Sequence, residues 1–184
     1  MPALRPPSPA LSDGSIALRP FEAADVPAVT RACQDPEIPR WTAAIPSPYT
    51  EADAEHWIAT HPASWARGTG AAFAVVDVDT GDLVGSVGLQ EFDWATGEVI
   101  AGYWVAAWAR NRGVATRALQ LAVGWAFDDL GIVAVELATK IGNTASERVA
   151  EKGGFFLVGI DDDHEVPAAP GRTYRVKLWR REAV

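Results

Sequence analysis

The stretch that most restricts how this 184-residue chain can fold runs from Glu98 to Gly131. Glu98 to Val105 reads as a strand, and Val114 to Leu130 as the strongest helix. That helix keeps Val114, Ala118, Leu121, Trp125 and Ala126 on one apolar face, and Gly131 supplies its stop. Between strand and helix stands Arg110-x-x-Gly113-x-Ala115. The first N–H groups of a helix lack internal partners and carry the positive end of its dipole. Gly113 and the small Ala115 let a diphosphate approach those amides closely. Thr116 adds a hydroxyl donor, and Arg110 and Arg112 add charge. An ordinary strand-to-helix turn with solvated arginines is the alternative, and no Gly-Lys-Ser/Thr ending marks a nucleotide-triphosphate loop.

Other elements follow from periodicity and punctuation. Ser15–Pro20 reads as a first strand and Glu22–Ala32 as a helix. Asp35–Pro48, with Pro36, Pro39, Pro46 and Pro48, reads as a loop. Thr50 and Asp53 resemble a capping box that opens a helix running to about Trp65. Ala72–Val78, Leu83–Phe92 and Glu98–Val105 form an antiparallel meander with turns at Asp79–Asp82 and Asp93–Gly97. Ile132–Ala138 is a strand, and Thr144-x-x-Glu147 caps a helix to Lys152. Gly154–Ile160 is a strand, Asp161–Asp163 an acidic loop continuing to the Pro-Gly stretch near Pro170, and Thr173–Trp179 the last strand. The expected fold class is a mixed-sheet α/β (α+β) domain.

Composition narrows the function classes. A formal net charge of −8 argues against nonspecific nucleic-acid binding and against docking on anionic lipid. No apolar run approaches the roughly 20 residues of a membrane span. The single Cys33 fits a reducing compartment as a core residue, and the expected location is cytoplasmic. The Pro- and Ser-rich residues 1–14 read as a flexible arm, with residues 15–184 as a single domain. His56, His61 and His164 show no ligand spacing, so no metal site is expected.

Gly102-Tyr103-Trp104-Val105 followed by Arg110-x-x-Gly113-x-Ala115-Thr116 resembles the central signature of the GNAT superfamily of N-acetyltransferases. Asn143-x-x-Ser146-x-Arg148-Val149-x-Glu151-Lys152-x-Gly154-Phe155 resembles the second signature of the branch that acts on ribosomal-protein N-termini. The stretch Ile38–Trp41 through Tyr49-Thr50 to Trp57-Ile58 also resembles that branch. The resemblance covers about residues 15–180. It implies a mostly antiparallel twisted sheet, flanked by helices, whose central strands splay into a cleft, with a bulge near Gly102. It also implies acetyl-CoA as co-substrate, without metal. Pantetheine would pair with the Tyr103–Val105 strand, pyrophosphate would sit on amides from Arg112 through Gly113, Val114 and Ala115 to Thr116, and Asn143 would reach the pantetheine or thioester. An N–H at Trp104 or Val105 would polarise the thioester carbonyl.

The resemblance also implies an activity: direct acetyl transfer to a primary amine, either a protein N-terminal α-amine or a small-molecule amine. A catalytically silent acyl-CoA-binding sensor or scaffold is the other reading. Homodimers are common in the branch. Many relatives carry a Tyr four residues before the Gly-Phe pair, where this chain has Ala150. Ser146, assisted by Asn143, is therefore the candidate acid; alternatively Asn143 and Thr144 cap the helix and Ser146 faces solvent. Relatives often have Glu three residues before the Tyr of Gly-Tyr-Trp, where this chain has Ile100. Glu98, on the same strand face, and Glu91 are the candidate bases, with solvated carboxylates the bland alternative. Trp41, Tyr49, Trp57 and Trp65 either line the acceptor side or pack core. Trp94, Trp104, Trp108, Trp125 and Trp179 read as packing.

Overall fold

The computed structural model describes residues 2–42, 45–165 and 171–183. Its strands are β1 (Leu11–Ser12), β2 (Ile16–Pro20), β3 (Gly70–Asp77), β4 (Leu83–Asp93), β5 (Glu98–Val105), β6 (Ala134–Lys140), β7 (Phe156–Glu165) and β8 (Thr173–Glu182). Its helices are α1 (Val26–Cys33), α2 (Glu37–Trp41), α3 (Glu51–Arg67), α4 (Val114–Asp128) and α5 (Thr144–Lys152). The strands form one sheet in the order β1-β2-β3-β4-β5-β6-β8-β7. Neighbours are antiparallel except β5 and β6, which run parallel. Parallel neighbours need a crossover, and α4 provides it.

The parallel pair is also the weak seam. β5 and β6 are in register over only Glu98↔Ala134, Val99↔Val135 and Ile100↔Glu136. Beyond Ile100 the strands separate, while β5 stays paired with β4 as far as Gly85↔Val105. The expected cleft between splayed central strands is therefore present. The expected bulge at Gly102 is not: pairing with β4 is continuous there, and the shift falls on β4 between Gln90 and Asp93, where Glu91 has φ 56°. A left-handed residue accommodates the extra length on the bulged strand.

Each sheet face carries a core, as strand alternation requires. Leu119 and Val123 of α4 cluster with Phe73, Val87, Leu89 and Val99, in a core extended by Leu137 and Trp179. There Trp65, Phe73 and Trp125 meet with ring centroids 5.2–5.8 Å apart. Such pairs add about 0.5–1.5 kcal/mol each beyond burial. On the other face, Val29 of α1, Ile38 of α2, and Ala54 and Ile58 of α3 cluster with Leu83 and Trp104. Tyr103 packs against the first core and Trp104 belongs to the second, so adjacent residues of β5 serve opposite faces.

Four sequence expectations need correction. Within the expected loose arm 1–14, the described residues 2–14 are anchored: Leu4 is buried and donates its N–H to the Trp65 carbonyl at 2.9 Å, and β1 pairs with β2. Leu4 and Leu11 bring apolar surface to the first core, which outweighs the Pro-rich composition. Within Asp35–Pro48, α2 forms despite its prolines. Pro36 caps it and Pro39 sits in the first turn, where a missing N–H costs nothing. Asp161–Asp163 lie on β7 rather than in a loop. This is the edge strand, so their side chains stay in water, and Asp162 pairs with Arg175. Finally, Thr144 is not the cap of α5. Asn143 is the N-cap, and Glu147 accepts from Lys177 Nζ at 2.8 Å instead of closing a capping box. The stretch at Pro170 lies outside the described residues.

Other boundaries follow the sequence closely. Thr50 caps α3 in a reciprocal box with Asp53, and Gly68 ends it in the left-handed region at φ 68°. Among the described residues, no helix is long and apolar enough to cross a membrane.

Candidate active site

The turn after β5 is built from backbone conformation. Asn111 (φ 61°) and Gly113 (φ 73°) are both left-handed, and Gly113 caps α4 without a side-chain hydrogen bond. A side chain at Gly113 would meet nothing within 4 Å, so its φ, not crowding, favours glycine. The first bond into the helix is Arg117 N–H to the Gly113 carbonyl at 3.1 Å. The N–H groups of Val114, Ala115 and Thr116 thus stand at the open end of a 15-residue helix. That is an anion-binding geometry.

The turn's arginines are engaged. Arg110 pairs with Asp35 at 2.6 Å, and Arg112 with Asp77 at 2.7 Å. Arg112 holds the Asp77 carboxyl below its usual range. Both pairs brace the turn, against α1's end and β3 respectively. The Arg112 side chain is 54% exposed. An exposed pair is worth about 0–1 kcal/mol, so a polyanion could recruit this guanidinium.

Strand geometry decides which β5 amides face the cleft. Ala106 N–H donates to the Val84 carbonyl, and pairing with β4 is continuous from Val105 to Ile100. With an antiparallel period of two, Trp104 and Gly102 therefore turn their N–H groups to β4. Those of Ala101, Tyr103 and Val105 turn to the splay. The expected polarising N–H of Trp104 is thus spent in the ladder, while that of Val105 points the right way.

Across the splay, α5 presents Asn143 and Ser146. The Asn143 Oδ1 accepts the Ser146 N–H at 3.1 Å, leaving the amide NH₂ for a ligand. The Ser146 hydroxyl lies 2.7 Å from the Tyr103 hydroxyl, so it does not simply face solvent. Ala150, at the position where many relatives carry Tyr, is fully buried.

The candidate bases sit elsewhere. Glu98 is at the closed end of the β5–β6 pair, five residues before Tyr103, or about 16 Å along the strand. Its carboxylate accepts from Arg180 at 2.7 Å, and Arg180 also holds Glu136 and Glu182. Its distance from Tyr103 and its engagement with Arg180 argue against Glu98 as the base. Glu91 is exposed at the β4 bulge, beside the same closed end.

The aromatic residues separate rather than forming one wall. Tyr49 is buried in the second core, where burial pushes its phenol pKa upward. Trp57 packs on Phe21 and His61 with centroids 4.8 and 4.5 Å away, and Trp65 belongs to the first core. Trp41 stands apart from these, near Gly142. Its indole donates to Glu37 at 3.0 Å, and its ring lies 4.0 Å from where a Gly142 side chain would start. Beside it Lys140 donates to the carbonyls of Arg40 and Thr42 and lies 3.8 Å over the Tyr174 ring. Cys33 is buried, and its thiol pKa is pushed up to about 12, which removes it as a nucleophile. Among the described residues, no cluster of three or more potential metal ligands occurs.

Sequence reasoning missed Lys140, Tyr174 and the Tyr103–Ser146 contact. The Tyr103 motif was visible, but its partner lies 43 residues away.

A family model described as the acetyltransferase (GNAT) domain matches residues 15–156. The chain belongs to the GNAT acetyltransferases. It is 30% identical over 79 residues to the putative ribosomal N-acetyltransferase YdaF of Bacillus subtilis (strain 168), covering 43% of each chain. The GNAT chain thus spans less than half the length of that curated relative. Among solved structures it resembles the microcin C7 self-immunity acetyltransferase MccE in complex with acetyl-CoA and AMP. There the TM-score is 0.82 at 16% identity, over 95% of this chain and 99% of that one. It also resembles RimL, a ribosomal L7/L12 alpha-N-protein acetyltransferase, in complex with coenzyme A. That match has a TM-score of 0.81 at 16% identity, over 94% and 96% of the two chains. At these identities the likeness is one of fold.

Proposed function

We propose that this GNAT protein transfers an acetyl group from acetyl-CoA directly to a weakly basic primary amine, foremost a peptide N-terminal α-amine. The observation that carries the reading is the splay between β5 and β6, with the uncapped N-terminus of α4 below it and Asn143 and Ser146 across it. Pyrophosphate fits the α4 amides, as phosphates do at helix N-termini. Pantetheine fits the splay, where the N–H and C=O groups of Tyr103 and Val105 offer a strand edge. The Val105 N–H is the donor available to the thioester carbonyl, and Ser146 is the acid for the departing sulfur.

Support for a weakly basic amine comes from the missing base. Ile100 stands where relatives often have Glu, and Glu98 is bound to Arg180. Deprotonating an α-amine of pKa near 8 at pH 7 costs roughly 1 kcal/mol, against roughly 4.6 for a lysine near 10.4. Solvent alone can meet the smaller cost.

Thiol release from acetyl-CoA over a panel of peptides, polyamines and lysine analogues tests the reading. Turnover with N-terminal α-amines ahead of lysine side chains is the expected result. Preference for lysine side chains would overturn the acceptor class. Thermal stabilisation by acetyl-CoA without turnover on any amine would identify a binding module instead.

A further inference from the structure

We propose that Tyr103 is a positioning residue for acetyl transfer: its phenol donates to the Ser146 hydroxyl and aims that hydroxyl's one proton into the cleft. The proposal rests on the acetyl-transfer reading above. Tyr103 reaches from β5 across to the first turn of α5, where its oxygen lies 2.7 Å from Ser146 Oγ and 3.3 Å from the Ser146 carbonyl.

Two proton arrangements are open to this pair. In one, Ser146 donates to Tyr103 and Tyr103 donates to the distant carbonyl. That spends the serine proton and relies on a long bond. In the other, Tyr103 donates to Ser146 Oγ at the usual O–H···O length, and the serine proton stays free. The second arrangement uses the better bond. Burial pushes the Tyr103 phenol up to about 12, so it remains a donor throughout the neutral range.

The surroundings fit that task. Ser146 N–H is already held by Asn143 Oδ1, which fixes the serine main chain. One turn further, on the same side of α5, Ala150 is fully buried, so α5 itself brings no phenol to this point. The hydroxyl that orients Ser146 comes from the opposite wall of the cleft.

In the transfer, the C–N bond forms as the C–S bond breaks. Sulfur takes the Ser146 proton, and the serine is restored by the proton that the nitrogen gives up. Tyr103 keeps its own proton throughout.

Tyr103→Phe, Ser146→Ala and the double variant test this through thiol release at saturating acceptor. A lost orienting hydrogen bond predicts about a tenfold lower kcat for Tyr103→Phe. The KM for acetyl-CoA should stay within about twofold, a split that loss of packing would not produce. In the Ser146→Ala background, Tyr103→Phe should cost nothing further. Wild-type kcat in Tyr103→Phe, or losses that simply multiply in the double variant, would overturn the proposal while leaving acetyl transfer intact. A wild-type protein that binds acetyl-CoA but releases thiol with no amine would overturn both.

Discussion

Lys140 Nζ donates to the main-chain carbonyls of Arg40 at 3.1 Å and Thr42 at 3.3 Å, joining residues about a hundred positions apart. This ties the end of α2, which carries Trp41, to the end of β6. Burial, with Arg172 nearby, lowers the Lys140 pKa, and no carboxylate neutralises it among the described residues. Lys140→Met keeps the stem and removes the donors. We expect the KM for the acceptor amine to rise about tenfold, the scale of one or two lost hydrogen bonds, with acetyl-CoA affinity unchanged. Equal effects on both substrates would show that the tie supports the whole cleft.

Gly113 sits at φ 73° with open space around it. Gly113→Ala therefore adds no clash and costs only the left-handed backbone, about 1–2 kcal/mol. For a chain of this size that lowers Tm by about 2–8 °C. If the α4 amides hold the pyrophosphate, calorimetry should also show weaker binding of acetyl-CoA, with the acceptor KM unaffected.

A side chain at Gly102 would meet nothing within 4 Å, and the backbone there is not left-handed. Glycine leaves free volume above β5, on the same face as Trp104. Gly102→Val should leave Tm unchanged or slightly raised, because branched residues suit strands. It should raise the acceptor KM about tenfold or more by filling that volume. Unaltered steady-state kinetics would mean that the acceptor enters elsewhere.

His61 packs on Trp57 and Phe21, and burial lowers its pKa to about 4. The unfolded chain binds this proton near pH 6.5, the folded chain only near 4. Its stabilising contribution is therefore complete above pH 6.5 and lost as pH falls towards 4. Discounted for partial exposure, the loss is on the order of 1–2 kcal/mol. His61→Gln should flatten the fall in Tm between pH 6.5 and 4.5.

Much of the fold was readable because local signals agreed. The amphipathic face from Val114 to Ala126, the Thr50–Asp53 box and the alternation of β3 to β5 each point to one element. The turn ahead of α4 was readable for the same reason: Gly113, left-handed, and the helix start are adjacent in sequence. Cleft residues were less accessible, because their partners are distant. Glu98 and Arg180 stand 82 residues apart, and Tyr103 and Ser146 stand 43 apart. Proline in α2 misled the local reading, since only its place in the first turn makes it harmless.

The three-residue register between β5 and β6 gives this protein a sheet edge in its middle as well as at its two sides. From Ala101 to Val105, one row of backbone donors and acceptors waits for a strand that none of the described residues supplies. Such an edge is ready to pair with any extended molecule, including another chain, unless something short and polar fills the gap first. In this architecture an occupant of the cleft is also a guard against aggregation, so the protein should be most soluble and longest-lived when it is loaded.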